Sequence, residues 1–476
     1  MKKILSILII IGLVMGLLPV MAVPALASSP PGTDTEGIGP SEVTFGSILP
    51  VVTESGLITL SVDGLGNNNL AGGNIQVEKP AGATVRSAYL AAASTGYTGH
   101  QIDDDDVTLD GTPVAWDIST PSSISSYNYW ADVTALVKPK VDAAAAGLVD
   151  FLVTEVSTSL IDGVILAVIF DDPNQTVSNT VVLLFGAQDI SGDTFNISLA
   201  EPIDKTDPNL GLDMGLGISF GFQTPSVTNQ VSLVDVNSVR LTSSAGGQDD
   251  GESANGALLT VGGIGDSNDN PSPLAPPANF DDPDDEMYNL LPFVDDGDDA
   301  INVFTINPSN DDNIFFAWLF VKSASAIVGE GILLSPATAT NQVGETHTVT
   351  ATVKDDDGNP VEGRTVDFEV VSGPHAGLTD SDVTEADGTA IFSYTGSAAG
   401  TDTIVARMVD SQDQTQTSNS VTKEWVTDGP GPQPPVEVGG TVQPVNKFLL
   451  LTPWITLGIL LAASGTIIIR RRKAQS

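Results

Sequence analysis

Acidic and amide side chains clustered in glycine- and proline-rich segments are the residues of this sequence that could do chemistry. Hard cations such as Ca²⁺ bind about six to eight oxygen atoms from carboxylates, amide carbonyls and the backbone, and loops supply these best. The segments between residues 266 and 299 therefore predict candidate calcium sites at Asp266, Asn268, Asn270, Asp281, Asp282, Asp284, Asp285, Asp295, Asp296, Asp298 and Asp299. Two shorter acidic clusters, at 103–106 and 310–313, have the same character.

The first of these clusters has the alternate spacing of a calcium loop but is not an EF-hand. Asp266, Asn268 and Asn270 stand at i, i+2 and i+4, whereas Pro271 takes the place of the required glycine and no Glu occupies the twelfth position. Calcium is nevertheless the cofactor that we expect at one or more of the clusters. For any single cluster, the alternative is a solvated acidic surface that keeps the protein soluble.

Few sets of residues in this sequence have the types and spacing of a catalytic site. The chain has three histidines, His100, His347 and His375, and we interpret each as a lone surface or strand histidine and not as a catalytic residue. The segment Gly217–Gly221 matches the G-x-S-x-G pattern of serine hydrolases, but the residues after it, which include Pro225, cannot open the helix that this motif needs. We interpret the match as a glycine-rich β-strand. Paired carboxylates hydrolyse a glycan only across a cleft, which a sequence does not reveal, and we predict that the protein is not an enzyme.

The charge balance narrows the possible partners. The chain carries 60 acidic and 18 basic residues, a net charge of −42, so its surface repels nucleic acid and attracts cations. No cysteine is present, which excludes disulfides and thiolate metal sites. Apolar residues make up 41% of the chain and charged residues 16%, which indicates folded domains rather than a disordered acidic polymer.

Both ends of the chain have apolar runs that indicate export and anchoring. Residues 1–27 predict a signal peptide, because a basic start precedes an apolar run that ends at the small-residue site Ala25–Ala27. The alternative is an uncleaved N-terminal anchor. Residues 447–469 predict a single transmembrane helix, and the basic tail at 470–476 is expected in the cytoplasm. We therefore expect a cell-envelope protein that contacts the membrane through this helix and exposes its preceding domains outside the cell.

The elements that must position the acidic residues are mostly β-strands. Short runs rich in β-branched and aromatic residues recur over 28–325, which predicts a large jelly-roll-like β-sandwich with long Asp-, Gly- and Pro-rich loops at 243–299. The run Val164–Phe170 is apolar on both faces and indicates a central strand. The segment Tyr129–Leu148 is Ala-rich and helical in character, but Pro139 is expected to interrupt it, which leaves a short helical turn or two. A second set of short strands at 326–427 has the total length and the strand spacing of an immunoglobulin-like sandwich.

The predicted fold class is therefore all-β, with two β-sandwiches and a C-terminal transmembrane helix. Between the second sandwich and the membrane lies a proline-rich segment at 428–446. Proline favours extended backbone, so this segment is expected to act as a stem that holds the sandwiches away from the bilayer.

Part of the second sandwich carries a family resemblance. The run Val349–Pro374, with Ala386–Gly396 and Gly400–Met408 after it, resembles the group 1 bacterial Ig-like domain of invasin and intimin type. The resemblance implies a stalk or spacer in a surface protein, with binding located in another module. It also implies that His347 and His375 are scaffold positions.

The first sandwich resembles an uncharacterised β-sandwich domain of archaeal and bacterial envelope proteins. The segments that carry this resemblance are Val85–Ser94, Asp106–Val114, Tyr129–Val137 and Asp162–Pro173. It implies no particular chemistry.

These observations predict a membrane-anchored extracellular surface protein with a structural or adhesive role, whose ligand is a surface, a polysaccharide or a protein. The alternative is a calcium-dependent carbohydrate-binding module or glycan hydrolase displayed at the cell surface. Trp116, Tyr127, Tyr129 and Trp130 would suit stacking on sugar rings. Trp130 could equally be the core anchor of its strand.

Overall fold

The computed structural model describes residues 47–66, 72–157, 159–220, 232–246, 259–273 and 286–427. The predicted signal peptide, stem, transmembrane helix and cytoplasmic tail lie outside the described residues. Within the described ranges, no helix combines the length and apolar character needed to cross a membrane.

The chain divides into two compact units. The first takes Met1–Phe195, Lys205–Asp295 and Ile301–Ser323, and the second takes Asn196–Asp204, Asp296–Ala300 and Ala324–Ser476. The predicted border between the sandwiches, at 325/326, falls close to the start of the last of these segments. Two short segments from the earlier part of the sequence join the second unit as well.

The described part of the first unit is built almost entirely of strands, with one α-helix and one 3₁₀ turn at Leu291–Phe293. Up to the end of the helical segment its elements are β1 (Ser47–Gly56), β2 (Ile58–Gly66), β3 (Gly72–Lys79), β4 (Thr84–Ser94), β5 (Val107–Leu109), β6 (Thr112–Pro113), β7 (Ile118–Pro121), β8 (Tyr127–Asp132) and α1 (Thr134–Ala143). They continue with β9 (Gly147–Glu155), β10 (Ile161–Asp171), β11 (Asn179–Ala187), β12 (Asp193–Leu199), β13 (Gly211–Ser219), β14 (Ser232–Val236), β15 (Val239–Ala245), β16 (Leu259–Val261), β17 (Met287–Asn289), β18 (Ala300–Ile306) and β19 (Asn313–Lys322). The last four residues of β12 and the first residue of β18 are counted with the second unit.

Three antiparallel sheets carry most of this unit. The first has the order β1-β11-β19-β13-β16, with β17 also paired to β13, and the second has the order β2-β10-β4-β8-β7. The third has the order β3-β9-β5-β6. In addition, β14 pairs with β15 on one side and with β18 on the other. The prediction of an all-β fold made of packed sheets is confirmed.

Strand β10 shows why the run Val164–Phe170 is apolar throughout. Val164, Leu166, Val168 and Phe170 belong to one core cluster, whereas the alternate residues Ile165, Ala167 and Ile169 belong to another. Because successive side chains of a strand point to opposite faces, β10 separates the two cores and is buried on both. The prediction of a central strand is confirmed.

Helix α1 confirms the helical character expected within Tyr129–Leu148, but the expectation that Pro139 interrupts it is wrong, because the ten-residue helix continues through Pro139. The Asp132 carboxylate accepts the Thr134 amide at 2.8 Å where the helix begins, and Val137 and Val141 are buried in the core. Lys79 donates to the carbonyl oxygens of Val141, Asp142 and Ala144 at 2.8–3.0 Å. A cation there satisfies carbonyls that the helix end leaves unpaired and complements the negative end of the helix dipole.

The second unit contains the Ig-like strands. They are β20 (Ala326–Val328), β21 (Gly331–Ser335), β22 (Thr338–Gln342), β23 (Thr346–Lys354), β24 (Thr365–Ser372), β25 (Thr379–Val383), β26 (Thr389–Thr395), β27 (Gly400–Val409), β28 (Thr415–Thr417) and β29 (Val421–Val426). One sheet has the order β21-β23-β26, and the other has the order β22-β29-β27-β24-β25, with β28 on β27. A core containing Phe368, Phe392 and Trp425 lies between them. The predicted Ig-like sandwich is confirmed.

Candidate functional site

A pair of buried acids lies at one end of the first unit. Glu155 is the last residue of β9, where it stands opposite Val107 of β5, and Asp162 is the second residue of β10. The side chain of Asp162 is 0% exposed and that of Glu155 is 6% exposed. The turn between the strands is fixed to the end of β4, because the Thr95 amide donates to the Leu160 carbonyl at 2.9 Å. The two acids are therefore held inside the fold by three strands.

Burial gives both carboxyl groups unusual proton affinity. The pKa of Glu155 is raised to about 8 by desolvation and by the neighbouring Asp162. Desolvation raises the pKa of Asp162 to about 7, although the nearby Thr95 hydroxyl and Phe220 amide offset part of the shift. No cationic side chain among the described residues forms an ion pair with either acid. Both pKa values are therefore raised because no ion pair with a described residue offsets the negative charge of the ionised carboxylates.

Within the described ranges, the oxygen atoms of this pair make no hydrogen bonds of normal geometry. Both Glu155 oxygens, both Asp162 oxygens and the Thr95 hydroxyl oxygen are buried there without such a partner, and the Thr95 hydroxyl and the Phe220 amide interact with Asp162 only strongly enough to offset part of its pKa shift. Buried polar atoms nearly always form hydrogen bonds, so a buried polar atom without one requires an explanation. Sequence reasoning missed this pair, because each acid is isolated within an apolar stretch.

A second acidic pair belongs to the predicted cluster at 310–313. Asp312 is buried, and desolvation together with Asp311 raises its pKa well above the usual range. Asn307 donates to one Asp312 oxygen at 2.6 Å. The Tyr97 hydroxyl donates to the Asn310 carbonyl at 3.2 Å, so Tyr97 covers this cluster.

The predicted calcium residues at 266–270 form hydrogen bonds that hold their own loop in place. Asp266 accepts the Gly263 amide at 2.7 Å, and Asn268 donates to Asp213 at 2.9 Å. Asn270 exchanges two hydrogen bonds with the backbone of Asn289 at 2.7 and 2.9 Å. The three side chains are thus directed to three different partners.

The remaining predicted calcium residues divide between two situations. Asp281, Asp282, Asp284 and Asp285 lie outside the described residues. Asp295, Asp296 and Asp299 are exposed, and Asp298 is half-buried. Across the described ranges, no group of three or more His, Cys, Asp or Glu side chains is placed to hold a metal ion. Calcium binding at the predicted clusters stays a prediction.

An open groove of about 520 Å³ lies elsewhere on the first unit. Asp213, Asp266, Lys322 and Phe320 are among the residues that line it. Lys322 forms an ion pair with Asp213 at 2.8 Å, and its ammonium group lies 5.2 Å from the centre of the Phe320 ring. Since Asp213 also accepts a hydrogen bond from Asn268, the groove presents paired charges beside an aromatic face.

The aromatic residues expected to stack on sugars serve mainly the core. Trp130 is buried and stacks on Tyr89 with ring centroids 5.1 Å apart. Tyr129 is buried on the opposite face, and its hydroxyl accepts the Ile102 amide at 2.9 Å. Trp116 and Tyr127 are partly buried against the same core as Tyr129. The structure therefore supports the core interpretation of Trp130.

The G-x-S-x-G match is part of a strand, as predicted. Residues Gly217, Ile218 and Ser219 belong to β13, and Gly221 lies outside the described residues. The Ser219 side chain is buried and accepts a hydrogen bond from Asn313 at 2.8 Å. This hydroxyl is not positioned as an exposed nucleophile.

A Ser-His-Asp arrangement does occur in the Ig-like unit. His375 Nδ1 lies 2.6 Å from Asp402 Oδ2, and His375 Nε2 lies 3.1 Å from the Ser397 hydroxyl. However, the Ser397 backbone amide donates to the same Nε2 at 2.8 Å, so the lone pair that a general base needs is already engaged. Asp402 also accepts from Tyr394 and Trp425 at 2.9 and 2.8 Å. The arrangement is a cross-link of the domain core.

Comparison with known proteins finds a family match within the second unit. Residues 335–422 match the family described as Bacterial Ig-like domain (group 1). The resemblance inferred from the sequence is confirmed for this segment. No curated protein matches the chain.

Three solved structures are similar to parts of the chain. Fibronectin(III)-like modules of Clostridium thermocellum CbhA share 28% identity over 20% of this chain and 93% of theirs, with a TM-score of 0.15. The PKD domain of an M14-like peptidase from Thermoplasmatales archaeon SCGC AB-540-F20 shares 20% over 20% of this chain and 92% of its own, also at 0.15. A putative membrane anchored protein from Corynebacterium diphtheriae shares 11% over 80% of this chain and 61% of its own, at 0.18. TM-scores of this size establish no common overall fold.

Proposed function

We propose that the chain is a membrane-anchored protein of the cell envelope with a structural or adhesive role, in which the Ig-like unit is a stalk that presents the first unit outside the cell. The observation that carries this proposal is the match of residues 335–422 to the bacterial Ig-like family, in a segment that folds as a β-sandwich. The apolar run at 447–469 and the resemblance of the first unit to envelope domains support the same location.

A non-enzymatic role is part of this proposal. It is supported by the burial and the hydrogen bonds of the side chains that could otherwise act in catalysis. Ser219 is buried in a strand, and the hydrogen bonds of His375 and Asp402 link parts of the Ig-like core. The acids of the groove are also engaged, Asp213 by Lys322 and Asp266 by a backbone amide.

Protease digestion of intact cells that produce the chain with a C-terminal epitope tag tests the location. The expected result is that external protease removes the described units and leaves a small tagged remnant, while a cytoplasmic control protein stays intact. Digestion of lysed cells is the positive control. Survival of the full-length tagged chain on intact cells would contradict the proposal.

The groove supports a second candidate function, a carbohydrate-binding module. A half-buried Phe320 ring next to the Lys322–Asp213 pair offers an apolar face and polar groups to one ligand. Glycan-array binding by the wild-type chain and by Phe320→Ala tests it. Loss of a specific glycan signal in Phe320→Ala is the expected outcome, with Thr53→Ala, at an exposed position of β1 that does not line the groove, as the control. The absence of any glycan signal for the wild-type chain would refute it.

A further inference from the structure

We propose that Glu155, Asp162 and Thr95 form a calcium site inside the first unit. The sequence clusters of acids do not include any of these residues. This inference is independent of the proposed surface role, since it concerns only how one end of the first unit is held together.

The charge of the pair requires compensation that the described protein groups do not provide. Removing an ionised carboxylate from water is very costly unless hydrogen bonds, an ion pair or a metal offset the loss of solvation. Other buried acids of this chain receive such help. Asp402, for example, accepts from His375, Tyr394 and Trp425. Among the described residues, neither Glu155 nor Asp162 has an ion pair or a hydrogen bond of normal geometry, and the Thr95 hydroxyl and the Phe220 amide offset only part of the rise in the pKa of Asp162.

The available ligand atoms fit a hard divalent cation. Four carboxylate oxygens and the Thr95 hydroxyl oxygen are buried, and none of them has a hydrogen bond of normal geometry to a described residue. Thr95 and Glu155 each lie close enough to Asp162 to influence a carboxyl pKa of the pair. An all-oxygen set favours Ca²⁺ or Mg²⁺ over softer transition metals. Calcium is the better fit, because it accepts bidentate carboxylates and irregular geometry, whereas Mg²⁺ retains several waters. A charge of +2 also balances the two carboxylates.

The location of the pair explains what a bound ion would do. Thr95 follows β4, Glu155 ends β9 and Asp162 lies at the start of β10, and these strands belong to two different sheets. An ion held by all three residues would tie the sheets together at this end. Calcium is therefore expected to stabilise the folded first unit by binding it in preference to the unfolded chain.

Calorimetric titration of the calcium-stripped full-length chain tests the site. The wild-type chain is expected to bind Ca²⁺ at a site that Glu155→Gln/Asp162→Gln lacks, so that the double variant loses one equivalent of tight binding. Asp193→Asn is the matched control, because Asp193 is also a buried acid but accepts a backbone amide at 3.1 Å. It is expected to retain the wild-type stoichiometry. Magnesium titration is expected to give weaker binding.

A milder variant keeps the test decisive if the double variant does not fold. Thr95→Val preserves both carboxylates and is expected to weaken calcium binding about 10-fold, the low end for loss of one supporting group at a metal site. Unchanged affinity in Thr95→Val would overturn the proposal. So would full calcium stoichiometry in a folded double variant, or a wild-type melting temperature that is the same in calcium and in EDTA.

Discussion

Replacement of Asp402 by Ala should destabilise the Ig-like unit far more than removal of an exposed acid. The Asp402 carboxylate is fully buried and accepts the His375 amide at 3.0 Å, the His375 ring at 2.6 Å, the Tyr394 hydroxyl at 2.9 Å and the Trp425 indole at 2.8 Å. Burial alone would raise the pKa of Asp402, but these hydrogen bonds outweigh it and hold the pKa below its usual range. The folded unit therefore depends on the charged form.

The size of this destabilisation follows from the hydrogen-bond donors that Asp402→Ala leaves without an acceptor. An unsatisfied buried donor costs about 1–3 kcal/mol. The Tyr394 hydroxyl and the Trp425 indole are both buried, so Asp402→Ala is expected to lower the free energy of unfolding by about 4 kcal/mol, at about 2 kcal/mol for each. Asp402→Asn retains one acceptor oxygen and should cost about 2 kcal/mol.

Hydrogen exchange followed by mass spectrometry measures this effect within the full-length chain, because peptides from β26 and β27 report on the Ig-like unit alone. The matched control is Asp367→Ala, which removes an exposed carboxylate from β24 of the same sheet. It should change stability by less than about 0.5 kcal/mol. A loss below about 1 kcal/mol in Asp402→Ala would show that the network does not stabilise the core.

Three further outcomes are expected. Burial and the nearby Lys423 lower the pKa of His347 from 6.5 to about 4, so the unfolded chain binds this proton more readily and stability falls as pH drops from about 6.5 to about 4. The loss should reach about 1–2 kcal/mol after solvent screening, and His347→Phe should flatten the profile in melts recorded across this range. Ser397 should stay unlabelled by a fluorophosphonate probe, because its own amide occupies the His375 ring nitrogen, and mass-spectrometric detection of an adduct there would disprove this. Gly186→Ala should loosen β1, since a Cβ at this position would lie 2.0 Å from the Ser47 carbonyl oxygen, and protection of β1 amides equal to wild type would contradict that steric argument.

Secondary structure could be predicted well from the sequence where a local pattern determines it. The both-faces-apolar run of β10 and the Ig-like strands each follow from residue type and spacing within a few residues. The Ala-rich composition predicts a helix at α1, but local rules wrongly place a break at Pro139, which the helix accommodates. The grouping of Asn196–Asp204 and Asp296–Ala300 with the second unit could not be predicted in the same way. It depends on contacts between segments far apart in the chain.

The candidate site could not be predicted from local composition. Runs of aspartate are the obvious candidate ligands in a sequence, yet residues of such runs, for example Asp295 and Asp296, have exposed side chains. Glu155 and Asp162 each stand alone beside apolar residues, and only the pairing of β9, β10 and β4 buries them with Thr95. The sequence signal that remains is an acid at the end of a strongly apolar strand, such as Asp162 before Gly163–Phe170.

The parallel pairing of β22 with β29 has a mechanical consequence. Thr338 stands opposite Thr422 and Gln342 opposite Val426, so the strands that begin and end the matched Ig-like segment run side by side in the same direction. Tension that pulls the start of β22 away from the end of β29 acts along both strands. It must shear all of their mutual hydrogen bonds together instead of unzipping them one at a time. An Ig-like unit built in this way resists stretching at its own ends.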